Sequence, residues 1–219
     1  GAAGLRRASR RVALVSPPPP SLALLLGSYG HALALAEVAP AGALNGTARG
    51  MTAAEWSRTR HAEAVRALQR RGLSFPLAWW AAMALVGHWA YETGWGRAEW
   101  DYAVGNIRAT GWSGPVHYLQ GSDDPEPRPY RAYATPADGI EDNIRLAVDN
   151  PRYRPAFQAL LDSERGGPYL VRAEGREVSF PLDVAGWQGA LTRAGWHPPS
   201  EESAATFRST VTRVAQAVG

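Results

Sequence analysis

The chain has 219 residues, enough for one sizeable domain with an extension or for two small ones, and at 45% hydrophobic and 20% charged it suits a globular protein with a buried core. Its 23 basic residues, all arginine, face 20 acidic ones, and the net charge of +3 gives only a mild bias toward an anionic partner such as a bacterial wall. With no cysteine there is no disulfide framework and no thiolate metal site. The five scattered histidines form no ligand cluster, and no phosphate-binding or nucleotide motif is present, so neither a metal, a cofactor nor a nucleic-acid partner is expected.

Residues 1–20 read as an arm, in which Arg6, Arg7, Arg10 and Arg11 precede a run of four prolines that favours an extended form. Such an arm either stays solvated or docks on a partner. Residues 21–39 read as a helix capped by Ser21. Gly27, Gly30, His31 and Glu37 interrupt it too often for a membrane span, which needs ~20 apolar residues in sequence. A basic start and "ALALA" sketch a signal peptide, but the prolines sit inside its would-be helix.

Thr52 followed by Glu55 is a capping-box pattern that predicts a helix to about Arg71, closed by Gly72. A second helix starts after Pro76, carries Leu77, Trp80, Ala84, Leu85 and His88 on one stripe, and stops at Gly94 or Gly96. Residues 95–129 are rich in Gly, Pro, Asp and aromatics and predict an irregular lobe, with a hairpin around "GPVHYLQGSDDPEPRPYRAY". Helix returns after Thr135, in "PRYRPAFQALLDSE", in "FPLDVAGWQGALTRAGW", and after Ser200. The fold class is therefore mainly α, a helical body with one small loop- and hairpin-rich lobe.

Glu92 stands out because it lies in the last turn of its predicted helix, among Trp89, Tyr91 and Trp95. The helix dipole places partial negative charge there, and aromatic neighbours strip water from the carboxyl. Both effects favour the protonated form, which a general acid needs to protonate a glycosidic oxygen. A glutamate facing solvent at a helix end is the alternative. His88, one turn earlier, either reaches that carboxyl or is a core histidine.

In chain order, "ETGWG", "GNIRAT", "GWSGPV", "PYRAYATPADGIEDNIRLAVDNPRY" and "GALTRAGWHPPSEESAATFRSTVTRVA" resemble the glucosaminidase family of peptidoglycan hydrolases, glycoside hydrolase family 73. The resemblance spans about residues 76–214 and leaves residues 1–50 outside it. It implies a lysozyme-like α+β domain over residues 51–219, with a substrate cleft between the helical body and the lobe. Glu92 then matches the catalytic acid. The second carboxylate falls at Asp123, with Asp124 and Glu126 adjacent, where the family usually has Glu. Tyr133 matches a cleft-lining tyrosine. Two residues depart from the pattern: Ala103 stands where Asn is expected, unless Asn106 takes over in a shifted register, and Trp196 replaces a tyrosine. Trp95 and Trp112 complete the sugar-binding candidates, since a flat indole face matches the C–H face of a pyranose. Core packing is the alternative for each of them.

The activity this implies is hydrolysis of β-1,4 bonds in peptidoglycan glycan strands by an endo-β-N-acetylglucosaminidase. The alternatives are a muramidase or lytic transglycosylase on the same fold, or a catalytically weak wall-binding component of a phage tail or injection apparatus. The basic arm, the unconvincing signal peptide and the non-Met start suit a virion-associated enzyme, held to tail or particle proteins through the arm. Export to the cell wall or periplasm is the other expectation.

Overall fold

A computed structural model describes residues 50–119, 126–196 and 201–219. The arm, the helix expected over residues 21–39, the cap at Ser200 and the candidates Asp123 and Asp124 lie outside the described residues.

Helix α1 (Ala53–Arg70) begins with the expected capping box. The Glu55 N–H donates to Thr52 Oγ1 (3.2 Å), and the Thr52 N–H donates to the Glu55 carboxylate (2.8 Å). Helix α2 (Phe75–Thr93) starts at Ser74 with Pro76 in its first turn, where a missing N–H costs nothing. Between Ala78 and Ala90 every residue of α2 except Trp80 is buried. A helix apolar on all sides belongs at the centre of a bundle. The C-terminal helix, α6 (Glu201–Val218), crosses it at Gly87, where an added Cβ would lie 2.9 Å from Val211 Cβ. At the same crossing Thr210 Oγ1 donates to the Gly87 carbonyl, 3.0 Å away. Any larger residue at position 87 would push the two helices apart.

Three shorter helices complete the body: α3 (Pro136–Asp149), α4 (Arg154–Asp162) and α5 (Val184–Arg193). Thr135 caps α3 by accepting the Asp138 N–H, and Asp183 caps α5 by accepting the Gly186 N–H. One hydrophobic cluster takes Trp56, Leu85, Ile144, Leu160, Leu191 and Phe207 from the six helices in turn. Each such large side chain, fully buried, contributes roughly 1.5–3 kcal/mol.

Two antiparallel hairpins flank this body. Strand β1 (Val116–Leu119) pairs with β2 (Arg128–Arg131), in the lobe where the sequence predicts a hairpin. Strand β3 (Tyr169–Ala173) pairs with β4 (Arg176–Phe180), where the sequence reading sees no strand and begins a helix at Phe180. The connecting residues Glu174 and Gly175 have φ of 52° and 73°, and two left-handed residues are what a tight I′ hairpin turn requires. The strand therefore runs on to Phe180, and α5 waits for its cap at Asp183.

Candidate active site

The end of α2 is built to turn sharply after Glu92. Gly94 takes a left-handed conformation (φ 57°, ψ 49°), and the Trp95 N–H reaches back to the Ala90 carbonyl at 3.2 Å. Thr93 fastens this corner: its hydroxyl donates to the Trp89 carbonyl (2.7 Å) and accepts the Gly96 N–H (3.0 Å). The loop beyond is pinned by Glu99, which is fully buried. Its carboxylate pairs with Arg60, also buried, and accepts the Trp56 indole N–H at 2.7 Å. The sequence reading missed this pair. A signal existed: Arg60 follows Trp56 by four residues, so it shares the core face of α1, and a buried arginine needs a carboxylate.

Backbone bonds then tie the loop to the lobe. The Arg131 N–H donates to the Ile107 carbonyl (2.9 Å), and the Ala109 N–H to the Pro129 carbonyl (3.0 Å), so residues 107–109 add a short third edge to β2. An open groove of about 700 Å³ lies among these parts. Glu92 lines it from α2. Asn106, Ile107 and Arg108 come from the loop, and Leu119, Tyr130 and Arg131 from the hairpin. Leu146 and Asn150 come from the end of α3, Arg152 and Tyr153 from the turn into α4, and Gly195 and Trp196 from beyond α5. Among the described residues lining the groove, Glu92 is the one carboxylate.

Three predicted site residues therefore share one groove: Glu92, Asn106 and Trp196. Asn106 is held in a left-handed conformation (φ 45°). With its amide nitrogen turned inward, it donates to the carbonyls of Ala98 and Ala103, 3.2 Å each. Trp196 is delivered by a Schellman ending of α5. Gly195 is left-handed (φ 76°), the Trp196 N–H donates to the Leu191 carbonyl (3.0 Å), and the Gly195 N–H to that of Thr192 (2.9 Å). The indole meets the Tyr153 ring at 4.4 Å between centroids and the buried His88 edge-on at 4.9 Å. His88, one turn before Glu92, thus backs the aromatic wall. Tyr153 has no site role in the sequence reading, although "NPRY" is one of its family signatures.

Trp112 and Tyr133 lie elsewhere. They line a neighbouring depression of about 450 Å³, together with Asp142 and Arg145. Their polar atoms turn into the protein: the Trp112 indole N–H donates to the Pro115 carbonyl (2.8 Å), and the Tyr133 hydroxyl to Asp142 Oδ2 (2.6 Å). Arg131 donates to the same Asp142 oxygen at 2.8 Å, and Arg145 pairs with the other. Burial works to raise the Asp142 pKa, but hydrogen bonds from Tyr133, Arg131 and Arg145 outweigh it and hold the carboxyl below its usual range. Burial, reinforced by Asp142, pushes the Tyr133 phenol up. The Arg131 guanidinium also stacks on Trp112, 4.9 Å from the ring centroid.

Trp95 lines neither depression. Its ring packs against the core, edge-on to Trp56 at 6.4 Å. Glu126 is exposed just before β2. Asp123 and Asp124 fall between β1 and β2 in the sequence, outside the described residues.

No family model matches the chain, and no curated protein does. Among solved structures, the chain is similar to the glycoside hydrolase domain of FlgJ from Salmonella typhimurium. The TM-score is 0.50 at 18% identity, over 76% of this chain and 90% of that one. It is also similar to a peptidoglycan hydrolase from Sphingomonas sp. A1: a mutant form gives a TM-score of 0.49 at 20% identity, over 71% of this chain and 89% of that one. A second structure of that hydrolase gives 0.48 at 21% identity, over 71% and 86%. The chain has the mainly α, hairpin-bearing fold of the FlgJ glycoside hydrolase domain.

Proposed function

We propose that this chain is a peptidoglycan hydrolase of the endo-β-N-acetylglucosaminidase type, with Glu92 as its general acid. The observation that carries the reading is the placement of Glu92. It lies in the last turn of a buried helix and lines a groove of about 700 Å³ that Tyr153 and Trp196 also line, their ring centroids 4.4 Å apart. Aromatic side chains in a groove suit sugar rings, and the groove's volume falls within the usual range for ligand sites. The fold shared with a glycoside hydrolase domain supports the same reaction class.

In this reading a glycan strand lies along the groove. Glu92 donates its proton to the bridging oxygen, the C1–O bond breaks, and positive charge builds on the sugar ring. A carboxylate from the connection between β1 and β2, Asp123 or its neighbours Asp124 and Glu126, stabilises that charge or activates water. Alternatively, the substrate's own 2-acetamido group attacks C1, and water opens the resulting ring. The basic, proline-rich arm suits attachment to a virion, and mass spectrometry of purified particles tests that placement; absence of the chain from them removes it.

Zymography on cell-wall gels compares the protein with Glu92→Gln. Clearing by the parent and a loss of ~10²–10⁴-fold in the variant is expected, and equal clearing ends the catalytic assignment. End-group analysis of the products then identifies the bond. A reducing-end N-acetylglucosamine supports the glucosaminidase, whereas reducing or anhydro muramic acid identifies a muramidase or lytic transglycosylase instead.

A further inference from the structure

Three arginines line the groove with Glu92, and their surroundings differ. Arg131 is neutralised by Asp142 at 2.8 Å. Arg108 lies over the Tyr130 ring, 4.6 Å from its centroid. Arg152 has a designed seat but no carboxylate among the described residues. Its backbone N–H donates to Asn150 Oδ1 (2.9 Å), which fixes the turn into α4. Its Nε donates to the Ala194 carbonyl, and its guanidinium carbon lies 5.6 Å from the Tyr153 ring centroid. Room for the head group comes from Gly195, where a Cβ would stand only 2.2 Å from Arg152 Nη2.

This arrangement has a chemical consequence. A guanidinium held at Nε keeps its two Nη groups as a preset fork, and such forks bind carboxylates in bidentate fashion. The ordering that normally weakens an exposed arginine contact is already made by the Ala194 carbonyl and the Tyr153 ring. Arg152 lines the groove together with Tyr153 and Trp196, so an anion it holds sits beside a sugar resting against one of those rings. In peptidoglycan the acidic groups next to the sugars are the carboxylates of the short peptides carried on alternate residues of the strand.

We infer that Arg152 is a carboxylate-binding, specificity-determining residue of this groove. It selects glycan strands whose peptides carry free carboxylates over strands whose peptide carboxylates are blocked as amides. The inference rests on the reading that glycan occupies the groove.

The test is calorimetric titration of the full chain, carrying Glu92→Gln to prevent turnover. The two probes are glycan fragments whose peptides carry free carboxylates and the same fragments with those carboxylates converted to amides. The free-carboxylate fragments are expected to bind about tenfold more tightly, as one charge-assisted bidentate contact provides. Adding Arg152→Gln brings the ratio to about one, and Arg152→Lys, which keeps the charge without the fork, recovers only part of it. Equal binding of both probes to the parent, or an unchanged ratio in Arg152→Gln, overturns the inference. A preference for free-carboxylate strands in a protein that clears no cell wall would remove the hydrolase reading and keep this one. Clearing without the preference does the reverse, and binding of neither probe removes both.

Discussion

The last turn of α2 and the loop just beyond it each carry a glutamate among tryptophans, and the fold treats the two in opposite ways. Glu99 is sealed in the core, where Arg60 and the Trp56 indole satisfy its carboxylate. Glu92, seven residues earlier, is partly exposed and lines the groove. Aromatic neighbours in sequence therefore say little about what a carboxylate does. What separates the two is whether a partner from a distant helix is waiting. The buried pair fixes the loop that follows Glu92, so one glutamate holds the corner beside which the other lines the groove.

The largest expected effect breaks that comparison directly. Glu99→Gln leaves Arg60 as an uncompensated buried charge and should cost about 3–5 kcal/mol in urea unfolding, while Glu92→Gln should stay within about 1 kcal/mol of the parent. Replacing both partners, Arg60→Met with Glu99→Leu, should restore much of the loss, because two buried charges leave together. If Glu92→Gln is as damaging as Glu99→Gln, the division into a structural and a groove glutamate fails.

A second core group of α1 sharpens the contrast, since it is buried neutral rather than paired. His61 is fully buried, its Nε2–H donates to the Trp79 carbonyl at 3.0 Å, and its ring lies edge-on to Trp79. Burial lowers its pKa from 6.5 to about 4, with the Trp79 bond opposing. The unfolded chain thus takes up a proton that the folded one refuses. Stability is full above about pH 6.5 and falls as the pH drops toward 4, by up to about 3 kcal/mol from this residue. His117, also lowered by burial and opposed by Asp101, acts with the same sign. Unfolding curves at pH 7 and pH 4.5 should show a smaller loss for His61→Gln than for the parent; equal losses would mean His61 is not the titrating group.

What was legible in the sequence had local causes. The Thr52–Glu55 box, the Thr135 cap and the stop at Gly94 are set by residues within one turn of each other, so their pattern carries them. The lobe's hairpin was visible through its turn-rich composition. The β3–β4 hairpin was not, because Glu174–Gly175 is a weaker turn signal than Asn-Gly or Asp-Gly. The Arg60–Glu99 pair, separated by 39 positions, and the meeting of Tyr153 with Trp196 depend on how helices pack, which no local pattern states. Trp95 illustrates the same limit. Beside Glu92 in sequence, it is a sugar-binding candidate, but the left-handed corner at Gly94 turns the chain and leaves its ring against Trp56.

The smallest expected effect separates the two aromatic walls on either side of Arg131. The Tyr133 hydroxyl is committed to Asp142 at 2.6 Å inside a buried network, so Tyr133→Phe removes a charge-assisted bond and should cost about 1.5–2 kcal/mol. Asp142 keeps its two arginines, which limits the damage. Tyr153 is half-exposed on the groove wall, and Tyr153→Phe should change stability by no more than about 0.5 kcal/mol. Removing the Tyr153 ring altogether, as Tyr153→Ala, should instead weaken wall clearing, because the partner face of Trp196 is lost. Urea midpoints and clearing assays on the three variants give opposite orderings: stability ranks Tyr133→Phe as the worse of the two phenylalanine variants, and clearing ranks Tyr153→Ala worst. A Tyr133→Phe variant that is fully stable yet fails to clear would move Tyr133 from the supporting network into the substrate site.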